Sequence, residues 1–362
     1  MIHTVTAAAS SSGAARAQEF LKVVGAPSSA QGYGSYQELA ADPDVDIIYV
    51  ATPHSHHYQN AMLCLEAGKN VLCEKALTVN AAQAKALVQK AKEKDVFLME
   101  AVWTRYFPLS IYVRDLIMSG KVGNVTRVFA DNSINFHPET VWSDGKHRMV
   151  NPDLAGGALL DLGIYSLTWV FQTLYHTQPA DQRKRPIVVS SMTKYPQTGV
   201  DEATSILLTF PRTTGGNAHA IATTSMRAAS DTGWTGQSGP AVRIQGDQGE
   251  IQVWPPIYRP TFTKLILSDG TVEERSWPQP GPGQGSGWRN GFGGAWNTEG
   301  EGQGMFWEAD EAATALIEGR KEGQFEGWDE SVLIMEVMDE VRTQNGLKYP
   351  EKIETTDFPV EL

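Results

Sequence analysis

The chain has 362 residues, with 30 basic and 42 acidic side chains and a formal net charge of −12, which argues against general nucleic-acid or anionic-membrane binding. The length suggests two domains, and the two cysteines, Cys64 and Cys73, are too few for a disulfide framework and read as reduced thiols of a cytoplasmic protein. No uninterrupted apolar run reaches the roughly 18 residues of a membrane span, and no basic stretch with an apolar core suggests a secretory signal, so no membrane partner is expected.

Met1–Ala9 is predicted as a strand, Ala14–Val24 as a helix and Tyr36–Ala41 as a short helix. The stretch Asp46–Leu77 is the centre of the N-terminal part. Ile47–Ala51 is an uninterrupted β-rich run, as expected of a strand covered on both faces, and Thr52-Pro53 stops it because proline cannot extend a central ladder. Tyr58, Met62 and Leu65 recur at helical spacing up to the stop at Gly68. Asn70–Cys73 is the next strand, with Glu74-Lys75 at its carboxyl end. Ligands of open α/β sheets bind beyond the carboxyl ends of the strands, so Thr52–His57 and Glu74-Lys75 are expected to line one crevice. A helix over Asn80–Lys94, with Asn80 as N-cap, a strand over Val96–Met99 and a helix over Leu109–Met118 complete this α/β part.

From Val125 the pattern changes. Val125–Asn135, Ile187–Tyr195, Ala203–Phe210, Ala218–Met226, Ala241–Ile244, Glu250–Trp254 and Phe262–Leu267 are β-rich and often alternate. They predict a mainly antiparallel sheet with one covered face. A helix over Gly157–Leu174 precedes most of these strands, and helices over Trp307–Ile317 and Ser331–Arg342 come after them. The expected architecture is a parallel α/β domain at 1–122 and an α+β domain at 123–362. Pro278–Gly304 is rich in Gly and Pro yet contains Trp288, Phe292 and Trp296. It reads as a flexible surface insertion, or, given the aromatics, as a lid.

The runs ATPHSHH (51–57) and CEKAL (73–77) resemble the TPxxxH and EKP motifs of the Gfo/Idh/MocA oxidoreductases, with Ala76 where that motif has proline. MEAVWTRYFP (99–108) and HRMVNPDLAGGALLDLGIY (147–165) are similar to the branch that holds the dimeric dihydrodiol dehydrogenases and the fungal NADP-dependent D-xylose 1-dehydrogenases. The resemblance covers nearly the whole chain, with four motifs in order. It implies a Rossmann-type dinucleotide-binding domain followed by a substrate and dimerisation domain. It also implies a shorter glycine-rich loop matching Gly300–Met305, so that about a dozen residues of the 278–304 stretch look inserted.

A dinucleotide fold opens with a strand, a G-x-G-x-x-G turn and a helix. The sequence contains no G-x-G-x-x-G, and Met1–Ala9 matches the family's second strand. The first βα unit is therefore expected to be missing, through a sequence that starts within the fold or through a genuine variant with impaired dinucleotide binding. Loss of that normally central strand would leave two neighbouring edges open, and the lost turn carries the N–H groups that hold a pyrophosphate. After the Met1–Ala9 strand come Ser10, Ser11, Ser12 and Arg16, with no acidic residue at the strand end. Three hydroxyls and a guanidinium suit a phosphate dianion, so NADP is the expected cofactor; the plainer alternative is an N-cap serine beside a solvated arginine.

Lys75 is the active-site lysine by resemblance, able to bond the reacting hydroxyl and to favour an ionised neighbour. Glu74 orients the strand end or contacts the nicotinamide side. Asp161 and Tyr165 stand four apart, and a helix there would project both from one face. A free tyrosine titrates near pH 10, so Tyr165 as a base needs a nearby cation such as Lys75; as an acid it needs less. The plainer reading is a core tyrosine with Asp161 as a cap. His54, His56 and His57 invite a metal, but no Cys or carboxylate lies at ligand spacing, and no metal is expected. By position His57 faces the cofactor, with Thr52, Pro53 and His54 beside it. Trp103 is expected on the pocket wall, where an aromatic face suits a sugar ring or an arene diol. Arg105 and Arg148 are further pocket candidates, and junction packing is the alternative for Trp103 and Arg105. Together these point to an NADP-dependent oxidation of a sugar hemiacetal hydroxyl, D-xylose C1 first. The rivals are trans-dihydrodiol oxidation by the same residues and a non-catalytic binding protein on the same fold. A homodimer is implied by the branch.

Overall fold

The structure, a computed structural model, describes residues 2–291, 294 and 297–362. The chain divides into two compact units. One comprises Met1–Ala101, Ala309–Val332 and Glu351–Leu362, the other Val102–Glu308 and Leu333–Pro350. The boundary expected at 122/123 thus lies at 101/102, and two C-terminal segments return to the first unit. The physical reason is that helix α5 (Pro108–Met118) buries Leu109 and Val113 and packs on the core helix of the second unit, although Gly120 and Gly123 are the visible breaks in the sequence.

In the first unit, β1 (Ala7–Ala9) pairs in parallel with β2 (Gln31–Tyr33). A separate parallel sheet has the order β3 (Ile47–Val50), β4 (Asn70–Glu74), β5 (Leu98–Ala101). Of the expected Met1–Ala9 strand only its last three residues pair, and Ile2–Thr6 is exposed. Nor is β3 covered on both faces: Tyr49 is 45% exposed and Ile47 half-buried, while Ile48 and Val50 are buried. Helices α1 (Ala14–Val23), α2 (Tyr36–Ala41), α3 (His54–Glu66) and α4 (Ala81–Lys94) connect the strands. Their starts reflect local chemistry: Ser35 and Glu38 form a capping box on α2, and Asn80 accepts from the Gln83 N–H at 3.0 Å.

In the second unit one sheet of eight strands has the order β13 (Val272–Ser276), β12 (Phe262–Leu267), β11 (Gly249–Val253), β10 (Val242–Gly246), β6 (Val125–Ser133), β9 (Ala218–Ser225), β8 (Asp201–Phe210), β7 (Ile187–Lys194). All neighbours are antiparallel except β6 and β9, which are parallel. Strand β13 is legible only in the structure, since VEERS is exposed throughout and has no apolar face to alternate. After the short helix α6 (Pro138–Val141), the core helix α7 (Ile164–Leu174) has every residue buried and lies on β6 and β9. By length and composition Pro152–Leu174 would pass for a membrane span, but 94% of its most apolar 18-residue window is buried within the fold. The remaining helices are α8 (Phe306–Glu318), α9 (Trp328–Gln344) and α10 (Glu351–Glu354). The sheet's other face carries a row in register, Val189, Leu207, Ile221 and Phe129.

The two ends of the 278–304 stretch are tied down by hydrogen bonds among the described residues. Gly283 N–H donates to Gly300 O at 3.0 Å, and the buried Arg259 donates to Glu301 Oε2 (3.1 Å) and Gly302 O (2.8 Å). Phe292 and Trp296 lie outside the described residues.

Candidate active site

In the first unit the residues after β3 and β4 are held by side chains that grip the backbone. His57, in the first turn of α3, is 1% exposed. Its Nδ1 lies 2.9 Å from Ala76 O and its Nε2 2.8 Å from Thr52 O. One ring therefore lies between the turns that end both strands. A neutral imidazole donates to one of these carbonyls, according to its tautomer. A doubly protonated ring would satisfy both, but burial outweighs the carbonyls and pushes the His57 pKa down to about 4. Glu100, at the end of β5 and 3% exposed, accepts the Leu77 N–H at 2.9 Å. The Lys75-Ala76 peptide is cis, and Lys75 itself is half-buried. The Glu74 carboxylate accepts from the Tyr49 hydroxyl and, at 3.1 Å, from the Lys75 N–H. Thr52 Oγ1 accepts from Asn60 at 3.2 Å, Pro53 is exposed, and His54 meets His57 edge-on at 5.5 Å. Among the described residues no cluster of His, Cys, Asp or Glu is placed to hold a metal.

Ser10, Ser11 and Ser12 form the turn between β1 and α1, with the Ser12 N–H donating to Ser10 Oγ at 3.2 Å. Gly13 comes next at φ 107° and no side chain caps α1, so this turn leaves a helix N-terminus beside three hydroxyls, a setting that suits an anion. Arg16 is exposed and paired with Glu19 at 2.6 Å.

In the second unit the motif around Tyr165 is built in layers. Leu159–Gly163 is a π-helical turn that runs into α7, so the regular helix expected over 157–174 is wider at its start, as is frequent at functional sites. Gly157 sits at φ +124°, and a Cβ there would fall 2.1 Å from Asp201 Oδ1. Asp201, wholly buried, accepts the Leu159 N–H at 2.7 Å and the Thr204 hydroxyl at 3.1 Å. Burial raises its pKa to about 6. Asp161 accepts from Arg148 Nη1 at 2.8 Å. Tyr165, 7% exposed, accepts from Trp103 Nε1 at 2.8 Å. Trp103 meets Phe107 edge-on at 5.6 Å and stacks on Tyr258 at 6.3 Å. Tyr258 also tilts against Tyr165 at 5.7 Å. Trp103, Tyr165, Asp161 and Arg148 thus fall in one neighbourhood of this unit.

Comparison with known proteins accords with these features. The model of an oxidoreductase family with an NAD-binding Rossmann fold matches residues 3–102, and that of the GFO/IDH/MocA C-terminal domain matches 111–252. The chain belongs to the GFO/IDH/MocA oxidoreductase family. It is 54% identical to a D-xylose 1-dehydrogenase (NADP(+)) of Hypocrea jecorina over 98% of this chain and 86% of that protein. It is 34% identical to a trans-1,2-dihydrobenzene-1,2-diol dehydrogenase of Bos taurus over 77% of this chain and 73% of that protein. An NAD-binding oxidoreductase of Klebsiella pneumoniae shares the fold with a TM-score of 0.72 at 21% identity, covering 94% of this chain and 88% of that one. The family's fold is therefore the one read from the sequence: a Rossmann-type domain plus a domain with a large, mostly antiparallel sheet.

Two of the expected site residues contact the main chain. Arg105 is wholly buried and donates to Thr168 O of α7 at 3.4 Å. His57 has both ring nitrogens within 2.9 Å of main-chain carbonyls, Ala76 O and Thr52 O, and as a neutral ring donates to one of them. Three residues escaped the sequence reading. Tyr258 and Asp201 lie in stretches with no motif. Glu100 had a signal, a carboxylate at the end of an otherwise apolar run.

Proposed function

We propose that this protein is an NADP-dependent dehydrogenase that oxidises a sugar hemiacetal hydroxyl, with C1 of D-xylose as its reacting centre and the lactone as product. The observation that carries the reading is the 54% identity, over 98% of the chain, to a D-xylose 1-dehydrogenase (NADP(+)). Tyr165 takes the hydroxyl proton and Lys75 holds the same oxygen, its charge favouring the tyrosinate. Asp161, held by Arg148, orients this pair or the sugar, and Trp103 and Tyr258 offer the aromatic face that an apolar sugar surface packs against. Bound NADP would supply the hydride acceptor. Ser10, Ser11, Ser12, Arg16 and the start of α1 would hold its 2′-phosphate, with Arg16 exchanging Glu19 for the phosphate; Thr52, Pro53, His54 and Glu74 would lie along its nicotinamide half. The test is NADP reduction with D-xylose against trans-dihydrobenzenediol as substrates. A higher kcat/KM for the sugar is expected. A preference for the diol would replace the substrate and keep the machinery, and no turnover of either would favour a binding protein.

The protein is further read as a cytoplasmic homodimer that buries the sheet face carrying Val189, Leu207, Ile221 and Phe129. Val189 and Leu207 are 58% and 53% exposed, and an apolar row in register across four strands suits a covering partner. Light scattering at micromolar concentration should give a dimer mass, and Leu207→Asp should lower it to that of a monomer. A monomeric parent protein would end this part of the reading.

A further inference from the structure

Resting on that reading, we propose that Trp103 is a positioning residue for proton transfer: its indole N–H fixes the direction of the Tyr165 hydrogen bond and favours the oxygen as an anion. The indole nitrogen can only donate, and it lies 2.8 Å from the Tyr165 oxygen. The phenol is therefore the acceptor in this bond, and its own hydrogen is directed to another group. That polarity is the one a tyrosine needs to pass a proton forward as an acid. When the oxygen is ionised, the same N–H becomes a charge-assisted donor, which is stronger than a neutral one. The bond is screened from water, since Trp103 and Tyr165 are each 7% exposed.

The donor is also held still. Phe107 meets the indole edge-on and Tyr258 stacks on it. The main chain of Tyr258 accepts from the Thr104 hydroxyl, and its neighbour Arg259 is anchored on Glu301, Gly302 and Gln303 of the glycine-rich stretch. The charged and titratable groups around Tyr165 do not replace this donor. Asp161, one turn back on the same helix, opposes a phenolate charge and is offset by Arg148. Arg105, from the Trp103 segment, is turned onto Thr168 O. The Tyr258 hydroxyl is pushed well above the ordinary tyrosine range by burial. On the sheet side Asp131 shares the face of Phe129, away from α7, and the residue of β6 turned to the π-helical turn is the neutral Asn132, which donates to Leu162 O at 3.0 Å. Lys75 enters only through the proposed mechanism.

Trp103→Phe keeps an aromatic wall and removes the N–H. Its acidic limb of kcat/KM should move up by about one pH unit, with about a tenfold loss at neutral pH that recovers as pH rises. The KM for the sugar should change by less than about threefold. Trp103→benzothienylalanine, with sulfur in place of the N–H, preserves the ring shape and should reproduce the shift even if Trp103→Phe folds poorly. A raised KM with an unmoved limb in both variants would leave Trp103 as a wall and overturn the inference. Tyr165→Phe measured alongside separates the two ideas. If it retains kcat, the proton-transfer reading itself fails; if it loses kcat while the Trp103 variants keep the parent profile, only the indole's role fails.

Discussion

The two units secure their functional residues in different ways. In the first, the parallel strands form two separate ladders, and the turn after Lys75 is held by side chains reaching the backbone: His57 on Ala76 O and Glu100 on the Leu77 N–H. In the second, eight strands form one continuous ladder, and Tyr165 projects from a helix whose every residue is buried. A continuous ladder spreads its stability over many cooperative bonds, whereas a turn fixed by two or three side chains depends on each of them. The same positional demand is thus met by topology in one unit and by a few buried polar groups in the other. The buried groups also titrate in opposite senses, a cationic acid in the first unit and a carboxyl in the second.

The contrast is tested most severely through the chemistry it supports. Tyr165→Phe should lower kcat by about 10²–10⁴, and Lys75→Ala, from the other unit, should do at least as much. The double variant should be little worse than the worse single, since residues that act as a unit are not additive. Additive losses in steady-state kinetics would mean that the two units contribute to separate steps.

Next in size is the response to acid. His57 has a folded pKa of about 4, below the ordinary 6.5. Its contribution is complete above pH 6.5 and is lost as pH falls from 6.5 to 4, at a cost of about 3 kcal/mol. Hydrogen exchange at pH 4.5 should show faster opening around Thr52–His57 and Ala76-Leu77 than around β8 and β9. His57→Gln should flatten that dependence; an unchanged profile would mean that His57 does not titrate with the clamp.

Asp201 should behave oppositely. Its folded pKa of about 6 exceeds the ordinary 3.8, so its burial costs nothing below pH 3.8 and about 3 kcal/mol once ionised above pH 6. Asp201→Asn keeps an acceptor for the Leu159 N–H. Its stability relative to the parent should improve as pH rises from 4 to 6, read by urea unfolding. A falling difference would show that the charge itself holds the turn before Tyr165.

The smallest effect is expected at the exposed end of the first unit. Arg16→Ala should weaken NADP use by about tenfold and leave NAD use nearly unchanged. Equal losses with both cofactors would remove Arg16 from the 2′-phosphate site.

Much of this was legible in the sequence for local reasons. Strand β4 and helices α2 and α4 arise from apolar periodicity and caps that lie within a few residues of each other, and the change from parallel to antiparallel pattern at Val125 is a change of period. The family is evident from four short motifs in order. Other features were not legible. Val272–Ser276 has no apolar face, yet it pairs with β12 because a neighbouring strand supplies its ladder. The bond from the Arg105 guanidinium to a carbonyl of α7 joins residues 63 positions apart, which no local pattern shows.

The order of elements, the family and the candidacy of Lys75, Asp161, Trp103 and Tyr165 were determined by sequence, because each of these rests on neighbours along the chain. Packing decided that His57 lies between two strand-end turns, that Asp201 caps the turn before Tyr165, and that the Trp103 N–H points at the Tyr165 oxygen from 62 positions away. The physical reason is that a hydrogen bond is set by the direction of a donor and the burial around it, and neither is fixed until distant segments of the chain have packed.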